Sequence, residues 1–205
     1  MSGQHIAFIG GGNMGRALIA GLLARGASPA DLAVPDSPEP TRTALQADFA
    51  IATARLEARL TACRSELSTV LCHGDCHGGN THVFDGPDGE RVAGFFDFDE
   101  AGPGCLSYEL AVYPWYLLRR LDGCELDDAG RTRWLSFLLG YRDVRPIPSA
   151  DLKAIALFIP IRQIWFLGEY VSRLPEWGTS VVSPSWLRAQ CDLLMNWEHV
   201  DIPVA

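Results

Sequence analysis

The polar residues best suited to chemistry lie in one loop, where His73, Asp75 and Asn80 follow a short apolar run. The run itself, 70–72, has the composition of a buried strand, and a turn after it would present a carboxylate and an amide to the same small volume. A positioned carboxylate can accept a proton, and an amide oxygen can bind a hard cation. We therefore predict that this polar loop, residues 73–80, is catalytic.

A β-hairpin is predicted directly after the polar loop. Residues 81–84 and 91–96 are strand-like runs, and the Gly-Pro-Asp-Gly sequence between them is a strong turn signal. The returning strand would bring Asp97 and Asp99 back beside the loop. Three carboxylates and one amide are thus expected to converge there.

This set of groups suits phosphoryl transfer, which needs a base for a hydroxyl proton and oxygen ligands that hold magnesium on the phosphates. We interpret Asp75 as that base and His73 as a residue that braces the loop. Asn80 and Asp97 are the predicted magnesium ligands, with Asp99 beside them, because hard cations prefer carboxylate and amide oxygens to sulfur and imidazole. The expected cofactors are Mg²⁺ and ATP. The expected partner is a hydroxyl-bearing acceptor, either a small molecule or a protein Ser or Thr.

The arrangement H-G-D-x4-N followed by D-F-D resembles the aminoglycoside phosphotransferase and choline kinase group of kinase-like enzymes. Within that group, HGDCHGGN, FDFDEAGPG and LGEYVSRLPEWGT are most similar to the bacterial stress response kinase A family. The resemblance covers about residues 54–205 and implies a kinase-like C-terminal lobe. Such enzymes also have a smaller lobe, whose lysine pairs with the ATP phosphates. We expect that lobe to be missing, because Lys153 is the chain's only lysine and lies far beyond the polar loop.

Two other interpretations of the polar loop stay open. Its aspartates and asparagine could be ordinary solvated turn residues. Four neighbouring side chains also form a dense cluster of soft ligands that could bind zinc, namely Cys72, His73, Cys76 and His77. No second CxxC or HxxxH pair is present to complete four zinc ligands in the usual pattern.

A different pattern occupies the start of the chain, where a strand-like run, 5–9, leads into a glycine turn and then a helix. This is the dinucleotide-binding fingerprint, in which Gly10 allows the tight turn, Gly12 admits a pyrophosphate and Gly15 lets helix and strand pack closely. The candidate residues for binding NAD(P) are Gly10, Gly12, Asn13, Met14 and Gly15.

The segment IAFIGGGNMGRALIAGLLARGASPADLAV closely resembles the start of pyrroline-5-carboxylate reductase, and ALQADFAIAT at 44–53 is similar to that family's continuation into its third strand. The likeness covers about residues 3–53, and the family's later nucleotide sheet and helical domain have no counterpart after residue 53. Two parallel strands and one helix cannot cover both faces of a sheet. We therefore expect the incomplete sheet to be covered by the rest of the chain, by an oligomer contact or by a partner protein.

The sequence accordingly predicts two domains: a partial, Rossmann-like α/β segment, 1–53, and a mainly helical α+β lobe with one hairpin, 54–205. A helix is expected at 54–67 before the polar loop, and a turn at 100–104 after it. Further helices are predicted at 107–118, 127–141, 149–172 with a bend at Pro160, and 185–198. The aromatic residues expected in the core are Trp115, Trp134, Trp165 and Trp197.

Bulk composition excludes some classes of function. The net charge of −8 disfavours binding to nucleic acid. No stretch reaches the roughly 18 apolar residues that span a bilayer, so no membrane partner is expected. The six cysteines show no disulfide-like spacing and no signal peptide is recognisable, which predicts a cytoplasmic location.

These patterns are compatible with three functions. An ATP- and magnesium-dependent phosphotransferase, impaired by the missing nucleotide lobe, agrees with the polar loop. An NAD(P)-dependent reductase-like fragment agrees with the glycine turn. The third is a non-catalytic fusion or scaffold protein.

Overall fold

The computed structural model describes residues 39–121, 125–172 and 184–204. These residues form two compact units. The described part of the helical unit comprises residues 39–61, 163–172 and 184–198, and that of the loop unit comprises residues 62–121, 125–162 and 199–204. The strand-turn-helix pattern predicted before residue 39 lies outside the described residues.

The helical unit contains most of helix α1 (Glu39–Cys63), the last part of helix α4 (Ser149–Ser172) and helix α5 (Pro184–Trp197). Its core includes Ala52 and Leu56 from α1, which lie four residues apart and so share one helix face. Leu194 and Trp197 of α5 are also fully buried. Polar contacts within the unit include the Gln163 amide, which donates to Gln190 Oε1 at 2.7 Å, and Arg59, which donates to the Glu198 carbonyl at 2.7 Å.

The prediction for the segment before the polar loop was wrong at both ends. Helix α1 begins at Glu39, so the stretch 44–53, whose likeness implied a lead into a third strand, is helical. The segment 41–63 contains no glycine or proline and is rich in Ala, Leu and Arg, which all have high helix propensity. The helix also ends earlier than expected, at Cys63, and a short 3₁₀ turn, Arg64–Glu66, comes directly after it.

In the loop unit, strand β1 (Thr69–Cys72) leads directly into the polar loop. Val70 and Cys72 are buried while the alternate residues are exposed, which is the pattern of a strand with one face on a core. β1 pairs in antiparallel register with Gly102–Cys105, numbered β4 in chain order, with Val70 opposite Gly104. We predicted a turn over 100–104, and that prediction was wrong over most of its length.

The reason lies in the tertiary pairing of β4, which its Gly-Pro-Gly sequence does not reveal. Pro103 has no N–H, yet each strand of a two-stranded sheet is an edge, where proline is tolerated. A Cβ on Gly104 would lie 2.9 Å from Cys72 Sγ, so glycine is needed for the strands to approach this closely. A short sequence that reads locally as a turn can therefore become a strand when a partner is available.

The predicted hairpin is confirmed, with strands β2 (Thr81–Asp85) and β3 (Arg91–Phe95). Thr81 is opposite Phe95, and Asp85 is opposite Arg91. The turn is closed by a bond from Gly86 N–H to the Glu90 carbonyl at 2.7 Å, and Gly89 adopts a left-handed φ of 78°. The register sends the chain back to the polar loop just before Asp97.

The remaining helices agree with the sequence within a few residues. They are α2 (Leu106–Leu121), α3 (Asp128–Val144), α4 (Ser149–Ser172) and α5 (Pro184–Trp197). Asp127 caps α3 by accepting the Gly130 N–H at 2.6 Å. Trp115, Trp134 and Trp197 are buried as predicted, whereas Trp165 is only half-buried. Across the ranges that the structure describes, no helix combines the length and the apolar character needed to cross a membrane.

A buried carboxylate in the first turn of α4 fixes the start of β1. Asp151 is fully buried and accepts hydrogen bonds from the Ser68 N–H at 3.1 Å and the Ser68 hydroxyl at 2.7 Å. It also accepts from the Ser107 hydroxyl at 3.0 Å. Ser107 of α2 therefore joins that helix to α4. This network holds the strand that leads into the polar loop.

Candidate functional site

The polar loop turns sharply at Gly74, whose φ is 86°. A Cβ at this position would lie only 2.5 Å from the Glu100 carbonyl oxygen, so a larger residue would displace backbone. The Gly74 N–H donates to Glu109 Oε2 of α2 at 3.0 Å. Because of this turn, the next side chain, Asp75, leaves the line of β1.

Three side chains hold the Asp75 carboxylate. Arg162 Nη2 lies 2.5 Å from Oδ1, while the Asn80 amide nitrogen and His77 Nε2 lie 2.9 and 3.3 Å from Oδ2. Burial opposes ionisation of this carboxyl, but the His77 hydrogen bond and the charge of Arg162 outweigh it and hold the pKa of Asp75 below its ordinary value. The Asp75 side chain is 21% exposed, so it can still be reached from outside.

The orientation of the Asn80 amide is set by its contacts. Asn80 is buried at the end of the 3₁₀ turn Gly78–Asn80, and its nitrogen donates to the Asp75 carbonyl at 3.0 Å as well as to the carboxylate. Two acceptors require the NH₂ group, not the amide oxygen, to face Asp75. The oxygen of Asn80 is therefore directed away from Asp75, as a ligand to a cation would need.

Backbone hydrogen bonds bring the end of the hairpin against the polar loop. The Phe96 N–H donates to the Asn80 carbonyl at 3.2 Å, and the Phe96 carbonyl lies 3.0 Å from His73 Nε2. Asp97 comes next in the chain and has a φ of 65°, in the left-handed region that residues other than glycine rarely adopt. Such local strain often accompanies a functional site. Asp97 is exposed, as is Asp99 two residues later.

The oxygen donors at this place fit magnesium better than zinc. Within the described ranges, no group of three or more His, Cys, Asp or Glu side chains is arranged to hold a metal ion. The predicted convergence of the Asp75, Asp97 and Asp99 carboxylates around one ion is therefore not seen, and Asn80 and Asp97 stay the predicted ligands. Mg²⁺ is commonly held in this way, by one or two protein ligands together with substrate phosphates and water.

Sequence reasoning missed the side chain that lies closest to Asp75. Arg162 is 2% exposed within α4, and the sequence-based predictions gave it no role. A signal was present, because a buried charge in an otherwise apolar helix requires a partner of opposite charge. His77, a candidate zinc ligand from sequence, instead contacts Asp75 and stacks on Tyr116 with ring centroids 4.4 Å apart.

The residues predicted to bind NAD(P) cannot be placed against this site. Gly10, Gly12, Asn13, Met14 and Gly15 all lie outside the described residues. Binding of NAD(P) to the glycine turn therefore stays a prediction from sequence.

Comparison with known proteins points to one family. The model of the phosphotransferase enzyme family, APH, matches residues 20–147. An uncharacterized protein of Deinococcus radiodurans is 38% identical over 155 residues, which cover 76% of this chain and 43% of the relative. The chain thus spans less than half of that relative's length. No solved structure matches the chain.

These matches also bear on the proposed reductase fragment. Neither match is described as a reductase, and the phosphotransferase match begins at residue 20, inside the segment 1–53. The likeness of the first residues to pyrroline-5-carboxylate reductase therefore finds no support in the matches.

Proposed function

The chain belongs to the phosphotransferase enzyme family, and from that premise we propose that the polar loop transfers the γ-phosphoryl group of ATP to a hydroxyl acceptor. The observation that carries the proposal is the hydrogen bond from the Asn80 amide to the Asp75 carboxylate. The backbone of Phe96 is hydrogen-bonded to both Asn80 and His73, which holds the end of the hairpin beside this pair. A proton acceptor and a cation ligand are thereby held side by side. Catalysis of phosphoryl transfer depends mainly on such positioning.

Asp75 would accept the proton of the attacking hydroxyl. Its contacts with His77 and Arg162 keep the carboxylate ionised, and its partial exposure leaves room for a substrate. A hydrogen bond to the ionised carboxylate would orient the hydroxyl oxygen toward phosphorus. His73 would act through the backbone, since its ring contacts the Phe96 carbonyl and not Asp75 Oδ1 or Oδ2.

Asn80 and Asp97 would hold the magnesium ion of Mg-ATP, with Asp99, two residues after Asp97, as a further candidate ligand. The ion would neutralise charge that develops on the phosphate oxygens. Asn80 supports this role because its NH₂ group is already taken by Asp75. Asp97 supports it because it is exposed and directly follows Phe96, whose N–H is bonded to the Asn80 carbonyl.

We further propose the stress response kinase type within this family, because the loop HGDCHGGN and the segment FDFDEAGPG agree with it. The acceptor would then be a protein Ser or Thr or a small alcohol. No residue of the given sequence before the polar loop is a lysine that could pair with the ATP phosphates. We therefore expect transfer by this chain to be well below the rate of about 1–100 per second that is typical of kinases.

Transfer of labelled phosphate from ATP to a panel of protein and small-molecule hydroxyl acceptors tests the proposal. The wild-type chain should label an acceptor slowly and only with Mg²⁺, and Asp75→Asn should abolish labelling. Asp143→Asn serves as the control, because it removes an exposed carboxylate on α3 of the same unit. Labelling that survives Asp75→Asn would rule out Asp75 as the base.

A further inference from the structure

One buried cation, Arg162, contacts the polar loop, the segment after Asp97 and helix α2. Arg162 donates through Nη1 to the Gly74 carbonyl and the Glu100 carboxylate, both at 3.1 Å, and through Nη2 to Asp75. Gly74 and Asp75 belong to the polar loop, whereas Glu100 lies between Asp97 and β4. We propose that Arg162 is the positioning residue that sets the Asp75 carboxylate for reaction, an inference that rests on the proposed function.

The guanidinium is itself held rigidly by α2. Arg162 Nη1 lies 2.6 Å from the Tyr108 hydroxyl, and the guanidinium carbon lies 5.8 and 5.1 Å from the ring centroids of Tyr108 and Trp115. Cation–π contacts of this kind are strongest where water is excluded, and Arg162 is 2% exposed. The side chain is therefore fixed before any substrate binds.

The two carboxylate oxygens of Asp75 are contacted by different side chains. Arg162 faces Oδ1, while Asn80 and His77 face Oδ2. A carboxylate held at both oxygens cannot rotate about its terminal bond without breaking one set of contacts. Arg162 thus fixes the plane of the carboxylate, and with it the direction in which a proton can be accepted.

This role requires the planar guanidinium group of an arginine, which carries several N–H donors in fixed directions. One guanidinium reaches a backbone carbonyl, two carboxylates and a phenol at the same time, whereas an ammonium is a single point charge with a different reach. Arg162→Lys should therefore preserve the positive charge and the fold but lose the simultaneous contacts. Arg162 donates hydrogen bonds to Gly74, Asp75, Glu100 and Tyr108, whereas Asn80 and Asp97 are the residues proposed to hold Mg-ATP.

The test is a comparison of kcat and KM for phosphate transfer in the wild-type chain and in Arg162→Lys. We expect kcat to fall about 100-fold, as for a catalytic group displaced by about an ångström, with KM for ATP within about twofold of wild type. The matched control is Arg142→Lys, because Arg142 is also a helical arginine of the loop unit and donates to the Val204 carbonyl at 2.6 Å. It should leave both constants unchanged.

A readout without turnover separates this inference from the proposed function. The readout is a double-mutant cycle of Arg162→Lys and Asp75→Asn, in which the free energy of unfolding is measured in urea. The effects of these two substitutions on that free energy should be non-additive, whereas the effects of Arg142→Lys and Asp75→Asn should be additive. Additive effects of Arg162→Lys and Asp75→Asn would overturn the pairing even if phosphate transfer is found. An unchanged kcat in Arg162→Lys would overturn the positioning role. Coupling without any Asp75-dependent transfer would instead refute the proposed function, and the positioning role with it.

Discussion

The Phe96 N–H donates to the Asn80 carbonyl at 3.2 Å, so backbone hydrogen bonding fixes the residue before Asp97 against the polar loop. Neither flexible side chains nor a bound ion is needed to bring these two segments together. A substitution of Asp97 should therefore remove a proposed ligand without rearranging the hairpin. A substitution of Asn80 would also remove its two hydrogen bonds to Asp75, so Asp97 is the cleaner position for a test of ligand binding.

Gly74→Ala should destabilise the loop unit. The residue has a φ of 86°, and a Cβ would lie 2.5 Å from the Glu100 carbonyl oxygen. We expect the free energy of unfolding to fall by at least about 2 kcal/mol in urea titrations, from left-handed strain and displaced backbone together.

Gly140→Ala is the matched control for that change, because Gly140 lies inside α3 and an added Cβ would meet nothing within 4 Å. It should leave stability unchanged or raise it by up to about 1 kcal/mol, since alanine favours helix. Equal effects of the two alanine substitutions would contradict the role given to Gly74.

Asp151→Ala should loosen the strand that leads into the polar loop. It leaves the Ser68 N–H, the Ser68 hydroxyl and the Ser107 hydroxyl without their acceptor in a buried place. We expect the free energy of unfolding, measured by urea titration, to fall by about 3 kcal/mol or more. Asp143→Ala, at an exposed position on α3, should change stability by no more than about 0.5 kcal/mol. A comparably small effect at Asp151 would show that the network contributes little.

The contacts of Asp75 with His77 and Arg162 should make the free energy of unfolding depend on pH. Despite opposing burial, His77 and Arg162 lower the pKa of Asp75 in the folded chain from its ordinary value of 3.8. A lowered folded pKa means that the unfolded chain binds protons first, so the stabilisation is complete well above pH 3.8 and is lost as the pH falls through the folded pKa. The difference in unfolding free energy between wild type and Asp75→Asn should therefore shrink from pH 7 to pH 3 or so. A difference that stays constant over that range would argue against the ion pair.

Local patterns in the sequence predicted much of this fold. The hairpin was predicted from a Gly-Pro-Asp-Gly turn between alternating strands, and helices α2 to α5 from periodicity and from the prolines that bound them. Strand β4 could not be predicted, because its Gly-Pro-Gly sequence forms a strand only through pairing with β1. Local propensity is overridden by tertiary contacts in such cases.

The candidate site divides in the same way between local and distant contributions. Asp75, Asn80 and Asp97 could be singled out because they lie close together in sequence and their types suit one chemistry. Arg162 contacts Asp75 from 87 residues away, and no local pattern links the two. Only the burial of a lone charge in an apolar helix pointed to it.

Calorimetric titration of the chain with ATP, with and without Mg²⁺, tests the central claim most directly. We expect binding that requires Mg²⁺ and is abolished by Asp97→Ala, because removal of the carboxylate leaves Asn80 as the nearest protein ligand. Asp88→Ala, an exposed aspartate in the hairpin turn, should bind ATP as the wild type does. Magnesium-dependent binding that is unaffected by Asp97→Ala, or ATP binding that needs no Mg²⁺, would contradict the assignment of a phosphotransferase site to this loop.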